Sequence, residues 1–314
     1  MNKLYNYIID LIILLALNTL CILLRKKLVI IASGYGRWGN RLMLFTYAIC
    51  WAEKNGAIVL NPSFREYSKY FTYFMNNNLC SVPFLKHLNI LFIKLIVSEL
   101  DNSFSRIPKR KGILLERIVN TLYLSGKDQD TESSNFLCVL KKNRVVFLDG
   151  FIMGNRNFDL VKKHHNELTS IFTFIPEIQD TGQQIIKPLI EKNKILMGVC
   201  MRQGDYKTFR KGFFYLEDEK YLQLIKLLQI QFNDNINFFI ASEERNKTFD
   251  VKENILINCE SPALNIHILS LCDYLIGPPS TFMTWSSFYH STPVCYIDST
   301  DWKRDKYRFD EATF

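Results

Sequence analysis

The run Ile195-Leu-Met-Gly-Val-Cys-Met, followed at once by Arg202-Gln203-Gly204-Asp205-Tyr206, constrains this chain more than any other stretch. An apolar run of this kind reads as a strand buried on both faces, the condition of a strand inside a parallel sheet. The abrupt change to Arg202, Gly204 and Asp205 puts opposite charges at the carboxyl edge of that sheet, where open α/β folds bind their ligands. Arg202 would offer there a planar fork able to grip a phosphate through two parallel hydrogen bonds. Taken alone, the same residues also describe a surface Arg–Asp pair closing a turn, so the rest of the chain must decide.

Further short apolar runs alternate with helical patterns. Leu28–Ala32, Ala57–Leu60, Val145–Leu148, Asn237–Ala241, Ile255–Ile257 and Tyr274–Ile276 read as buried strands. Helical spacing is expected over Leu42–Glu53, Phe158–Phe172, Asp218–Gln231, Leu264–Cys272 and Met283–Tyr289. This alternation signals doubly wound parallel sheets. From about Arg65 to Leu124 the spacing reads as mainly helical, through Leu85, Leu88, Leu91, Phe92 and Leu95 and again through Ile113, Leu114 and Ile118.

Two strand ends carry helix starts suited to anions. Strand Leu28–Ala32 runs into Ser33-Gly34-Tyr35-Gly36-Arg37-Trp38-Gly39-Asn40-Arg41. Gly34, Gly36 and Gly39 match the dinucleotide spacing, but the acidic residue expected about 20 positions on is replaced by Asn61-Pro62, which weakens an NAD reading. What stands is a glycine-rich turn at a helix N-terminus that lets backbone approach a ligand, with Asn40 and Arg41 as its polar side chains. Strand Tyr274–Ile276 runs into Gly277-Pro278-Pro279-Ser280-Thr281-Phe282. Ser280 can cap the following helix, with its hydroxyl, that of Thr281 and free amides pointing outward. Each motif also has a plain reading, a tight turn and an ordinary Ser cap.

With 314 residues the chain can form two α/β domains, and 48% hydrophobic with 22% charged residues describes a globular protein. The formal charge of +8 favours anionic partners. Its basic residues are scattered, with small clusters at Arg25-Lys26-Lys27 and Lys109-Arg110-Lys111, which ranks a phosphorylated small ligand above nucleic acid. Eight widely spaced cysteines without a CxxC pair point to a reducing compartment and against zinc knuckles or a disulfide framework. Asp128-Gln129-Asp130 sits in a polar stretch with no strand leading in, and His164-His165 lacks the zinc-site Glu spacing. Both read as solvated surface. Residues 1–27 read as a separate apolar segment. Asp10 interrupts it, leaving Leu11–Leu24 short of the ~20 residues of a membrane span. Three readings stand: a marginal anchor, a helix on the membrane surface, or a helix packed on the domain.

Taken together, the motifs resemble the fucosyltransferase superfamily, and within it the α-1,2-fucosyltransferase-like enzymes of glycosyltransferase family 11. Gly36-Arg37-Trp38-Gly39-Asn40-Arg41-Leu42-Met43 is similar to that family's Gly-x-x-Gly-Asn-Gln-hydrophobic motif. Phe147-Leu148-Asp149-Gly150-Phe151, with Asn157-Phe158 and the run to Phe174, resembles the segment preceding its donor domain. Val199–Tyr206 resembles His-x-Arg-Arg-Gly-Asp-Tyr, and Leu269–Trp285 resembles its C-terminal Ser/Thr-Phe motif. Cys200 stands where the family has His, Gln203 where it has a second Arg, and Arg41 where it has Gln.

The resemblance implies a GT-B-like pair of Rossmann-type α/β domains, an acceptor-side domain over 28–185 and a nucleotide-sugar domain over 186–314. It implies inverting transfer of fucose from GDP-fucose to a glycan hydroxyl of a surface polysaccharide or lipopolysaccharide, with no metal or other cofactor required. Arg202, Asp205 and Asn40 would be catalytic. Gly36, Gly39, Arg41, Arg202, Ser280, Thr281 and Phe282 would hold the donor. Partners would be a nucleotide sugar and a glycan, with no nucleic acid, at the cytoplasmic face of the inner membrane. Asp205 is the nearest carboxylate for the acceptor hydroxyl, and it could equally hold Arg202 in place. Rival readings are another donor sugar, a glycan-binding protein without turnover, and an NAD-binding domain.

Overall fold

A computed structural model describes residues 2–77, 80–83, 121–125, 143–149, 158–190, 194–243, 255–258, 261–300 and 302–311. The chain folds as two compact units, Met1–Thr173 and Phe174–Phe314. The expected helices through Leu85–Leu95 and Ile113–Ile118, the Lys109 cluster, the Asp128–Asp130 loop and the Gly150–Asn157 part of the resemblance lie outside the described residues.

The first unit is built on a sheet of order β3-β2-β1-β5-β4: β1 (Lys27–Ser33), β2 (Ala57–Leu60), β3 (Ser81–Val82), β4 (Thr121–Ser125) and β5 (Val145–Asp149). Its strands run parallel except β3, which is antiparallel to β2. The two edge strands correct the expectation of helix between Arg65 and Leu124. Thr121-Leu-Tyr-Leu-Ser is too short a run for its period to separate strand from helix, and pairing with β5 decides it. Helix α1 (Asn2–Leu24) packs one side against this sheet: Ile13, Leu14, Leu17 and Cys21 join Leu28, Ile30, Ile58, Leu60, Val145 and Phe147 in one cluster. Of the three readings of this segment, the packed helix describes that side. Among the described residues no helix is long and apolar enough to cross a membrane.

Helix α2 (Trp38–Lys54) follows β1. Its Phe45 packs with Phe64, Phe74 and Phe172 at ring separations of 5.2 to 5.6 Å. This aromatic knot ties α2 to the short helix α3 (Arg65–Ser68) region and to the end of the basic segment. That segment is two helices, α4 (Phe158–Lys163) and α5 (His165–Ile171), instead of one.

The second unit has a fully parallel sheet of order β10-β9-β6-β7-β8: β6 (Ile195–Met201), β7 (Ile236–Ser242), β8 (Ile255–Asn258), β9 (Tyr274–Gly277) and β10 (Val294–Tyr296). Successive β6 side chains alternate between two cores. Met197, Val199 and Met201 face the cluster that includes Tyr221, Leu224, Ile225 and Leu228 of α7 (Asp218–Gln231). Leu196 and Cys200 face the cluster that includes Ile186, Leu264, Ile268 and Met283. Those residues come from α6 (Pro176–Ile186), α8 (Pro262–Ser270) and α9 (Thr281–His290). The stretch Pro176–Pro188, read as a passage between domains, is therefore mostly helix. Gly182 of α6 lies against His267 and Ile268, which puts the unit boundary before α6 and not at 185/186.

Both sheets place their first strand in the middle. In each, the connections that follow leave it on one side and return on the other, so a switch point lies at β1/β5 and at β6/β9. The carboxyl ends of these strands are where such folds bind ligands.

Candidate functional site

In the second unit the switch point carries Arg202 at the end of β6 and the Gly277–Ser280 segment at the end of β9. The two strand ends are unusually close. A Cβ at Gly277 would sit 2.5 Å from the Cys200 carbonyl oxygen, so only glycine fits there. The Arg202 side chain is 18% exposed. Its Nε and Nη2 donate to the two Asp205 carboxylate oxygens at 3.3 and 3.0 Å, and its guanidinium lies 4.7 Å from the Tyr206 ring centre. Burial opposes the charge, but the Asp205 hydrogen bond and the nearby Tyr206, Asp205 and Glu243 outweigh it and hold the guanidinium above its ordinary pKa. Tyr206 in turn donates from its hydroxyl to the Pro279 carbonyl at 2.6 Å, fixing the β6 loop to the β9 loop.

The sequence expects the Ser280 hydroxyl to point outward, and here the structure differs. Ser280 is buried, and its oxygen accepts from the Met283 amide at 3.1 Å. The hydroxyl is an N-cap, because an N3 amide has no intrahelical partner and a buried one must find another acceptor. The first intrahelical bond is Thr284 N to the Ser280 carbonyl. Thr281 and Phe282, both half-buried, thus stand in the first turn of a ten-residue helix, where the dipole favours an anion.

Gln203 is buried and turns inward. Its amide donates to the Leu216 carbonyl at 2.8 Å and to Asp218 Oδ1 at 2.7 Å, tying the loop to the start of α7. Cys200 is buried beside Ser280, and burial pushes its thiol up to about 11. It is neutral at physiological pH. From Asp205 the chain makes a 3₁₀ turn, Asp205–Lys207, and then a kinked turn over Phe209–Gly212 in which Arg210 (φ 47°) and Lys211 (φ 59°) are left-handed. They set Phe209 5.4 Å from Tyr206 and 6.3 Å, stacked, from Phe214, with Arg210 close to both phenylalanine rings.

In the first unit the glycine-rich turn sits at the end of β1. Gly36 has φ +64°, a left-handed conformation that glycine adopts without strain, and a Cβ there would lie 2.2 Å from Asn40 Nδ2. Asn40 therefore folds over the turn. Arg41 supports the turn from below. Its Nε donates to the Gly36 carbonyl at 3.2 Å and Nη1 to the Ser63 carbonyl at 2.7 Å, with Glu66 3.6 Å away and the Tyr67 ring at 5.3 Å. A Cβ at Gly34 would meet that guanidinium at 1.8 Å, so a larger residue there would displace the Arg41 side chain from the turn. Gly39 is buried in the first turn of α2.

The structure thus groups Arg202, Asp205, Ser280, Thr281 and Phe282 at one sheet edge, and Gly36, Gly39, Asn40 and Arg41 at the other unit's edge. Sequence reasoning missed Glu243, which follows β7 and whose carboxylate lies 3.1 Å from where a Gly204 Cβ would stand. Its signal was a carboxylate two positions past the expected buried strand Asn237–Ala241. His164 also differs from a solvated face. Its Nδ1 lies 3.0 and 3.2 Å from Glu53 and Glu167 carboxylate oxygens.

No protein-family model matches the chain, and no curated protein matches it in sequence. Solved structures do. A mutant of Arabidopsis thaliana FUT1 in complex with GDP matches with a TM-score of 0.56 at 12% identity, over 86% of this chain and 70% of that one. The chain has the fold of the fucosyltransferases. NodZ alpha-1,6-fucosyltransferase soaked with GDP-fucose matches at 0.50 and 11% identity, over 92% of this chain and 100% of that one. POFUT1 in complex with GDP matches at 0.50 and 11% identity, over 85% and 96%. The α/β, GT-B-like architecture of parallel sheets flanked by helices is therefore the shared property.

Proposed function

We propose that this chain is a glycosyltransferase that moves fucose from GDP-fucose to a glycan hydroxyl, with inversion and without a required metal. One observation carries the reading: a half-buried arginine and the N-terminal turn of α9 meet at the β6/β9 switch point of a fold also found in fucosyltransferases solved with GDP or GDP-fucose. In glycosyl transfer, positive charge grows on the sugar and negative charge on the departing diphosphate. Arg202 and the first amides of α9 would stabilise that anion, and a preorganised positive site does so without a cation. Asp205 aims the Arg202 fork. Asn40 and the glycine turn of the first unit serve the acceptor or the reacting sugar, with Arg41 and Gly36 shaping that turn.

The acceptor is a precursor of a surface polysaccharide or lipopolysaccharide, and the enzyme works at the cytoplasmic face of the inner membrane. The replacements at Cys200 and Gln203 favour a second reading, a glycan-binding relative without turnover.

The test is binding of GDP, GDP-fucose, UDP, ADP and NAD to the purified chain and to Arg202→Ala. Selective GDP and GDP-fucose binding, lost about a hundredfold or more with Arg202→Ala, supports the donor site, since two charge-assisted hydrogen bonds are worth roughly 3 to 5 kcal/mol. Binding of NAD alone refutes the transferase reading. GDP-fucose binding with neither hydrolysis nor transfer supports the relative without turnover.

A further inference from the structure

Half of the large apolar side chains exposed among the described residues lie on α1. Tyr5, Ile8, Ile12, Leu15 and Ile22, with Leu23 beside them, are between 47 and 75% exposed. Spacings of three and four, with exposed Thr19 completing the row, align them as one stripe along the helix. Eighteen residues from Tyr5 to Ile22 make it about 26 Å long. The helix cannot relieve this exposure by rotating, because Ile13, Leu14, Leu17 and Cys21 already occupy the sheet.

Three details say what covers the stripe. Asp10, the only acidic residue of α1, is fully buried on the packed side, so the outward face carries no negative charge. Two polar residues near the stripe bond within the helix: Thr19 Oγ1 donates to the Leu15 carbonyl at 2.9 Å and Asn18 Nδ2 to the Leu14 carbonyl at 3.1 Å. The helix then ends in a left-handed residue, Arg25 at φ +50°, with Lys26 N donating to the Cys21 carbonyl and Arg25 N to the Ile22 carbonyl. This closure holds Arg25 and Lys26, both exposed, directly at the end of the apolar row. An apolar stripe without acid and with terminal cations matches an anionic lipid surface, where acyl chains meet the stripe and headgroups meet the cations.

We propose that α1 lies in the plane of an anionic membrane, with the Tyr5–Leu23 stripe at the headgroup–acyl boundary and Arg25 and Lys26 on the headgroups. This deepens the membrane-face part of the proposed function and rests on it for the choice of a lipid partner. The helix stays packed on its sheet while bound, so the membrane docks on the folded first unit and not on a released tail.

The full chain is mixed with vesicles of phosphatidylcholine alone or rich in phosphatidylglycerol, and the bound fraction is measured by flotation. Binding should be selective for the anionic vesicles and weaken with salt. Ile12→Ser/Leu15→Ser and, separately, Arg25→Glu/Lys26→Glu should each lower the partition about tenfold or more. GDP affinity and unfolding midpoint should stay unchanged, because all four side chains are exposed. Alkaline carbonate should release the chain from native membranes. Absence of vesicle binding with GDP binding intact overturns the surface and leaves the donor site standing. A concentration-dependent dimer abolished by Ile12→Ser/Leu15→Ser, without vesicle binding, assigns the stripe to a second copy. Resistance to carbonate assigns it to a spanning helix.

Discussion

Replacing Asp205 by asparagine separates two roles that one carboxylate could play. In the structure both Asp205 oxygens accept from Arg202, at 3.3 and 3.0 Å. An arginine has five N–H donors, so this pairing leaves three for a diphosphate. The substitution keeps one acceptor and the Tyr206 ring contact at 4.7 Å but removes the charge. The carboxylate is 48% exposed against 18% for the arginine, so the pair is screened and its loss is worth about 1 kcal/mol, and not the several of a buried pair. A positioning role therefore predicts a GDP Kd about fivefold weaker, with kcat reduced by a similarly small factor. A general base contributes roughly 10²–10⁴ to the rate and nothing to GDP affinity. Calorimetric GDP titration and the initial rate of fucose transfer or donor hydrolysis measure the two quantities on one preparation. A rate loss above about a hundredfold with unchanged GDP affinity would refute the positioning role and return Asp205 to the acceptor hydroxyl.

Two further changes test the framework. Gly277→Ala should weaken both GDP affinity and stability, by about 1–3 kcal/mol in the urea unfolding free energy, because its Cβ would meet the Cys200 carbonyl at 2.5 Å and force the β6 and β9 ends apart; an unchanged midpoint would mean the ends are not in contact. Acid should selectively weaken the α6–α8 packing: burial, then the nearby charge of His290, lowers the His267 pKa to about 4 from an ordinary 6.5, partly countered by backbone at Gln179. The folded state thus prefers the neutral ring, so this contribution is fully present above pH 6.5, declines as pH falls toward 4, and amounts at most to about 3 kcal/mol. In His267→Met that part of the decline should vanish, and equal slopes of unfolding free energy against pH in both proteins would contradict it.

The strands and the sheet-edge arginine were readable because their signals are local. Ile195–Met201 is apolar on both faces, and the chain turns polar where the strand ends, so Arg202 could be assigned to the sheet edge without knowing any neighbour. Ser280 was readable as a cap for the same reason, but not its burial, which depends on Cys200 and β6 arriving beside it. The resemblance marks Gln203 only as standing where the family has a second Arg. Its structural part, a bridge to Leu216 and Asp218, depends on residues more than ten positions away. Thr121–Ser125 was misread because a run this short fits either period, and only β5 beside it decides. The unit boundary failed similarly: the apolar face of α6 states that it packs, while α8 as its partner is a tertiary fact. Residues 5–24 are apolar but interrupted by Asp10, which left three readings open until Ile13, Leu14, Leu17 and Cys21 separated as the packed side.

The replacements at Cys200 and Gln203 can be weighed by what they do to the charge at the β6/β9 edge. A histidine at position 200 could carry a proton there, and an arginine at 203 a permanent charge. The buried thiol, held up at about 11, is neutral across the physiological range, and the Gln203 amide is turned to α7. Neither adds positive charge at this edge. Arg202 stands at this edge beside the α9 N-terminus, whose dipole is worth about half an elementary charge. The structure holds Arg202 on two sides, by Asp205 and by a Tyr206 ring that is itself tied to Pro279. If the proposed donor site holds a diphosphate, this clasp would keep the guanidinium oriented toward the leaving group, which is how a preorganised charge acts.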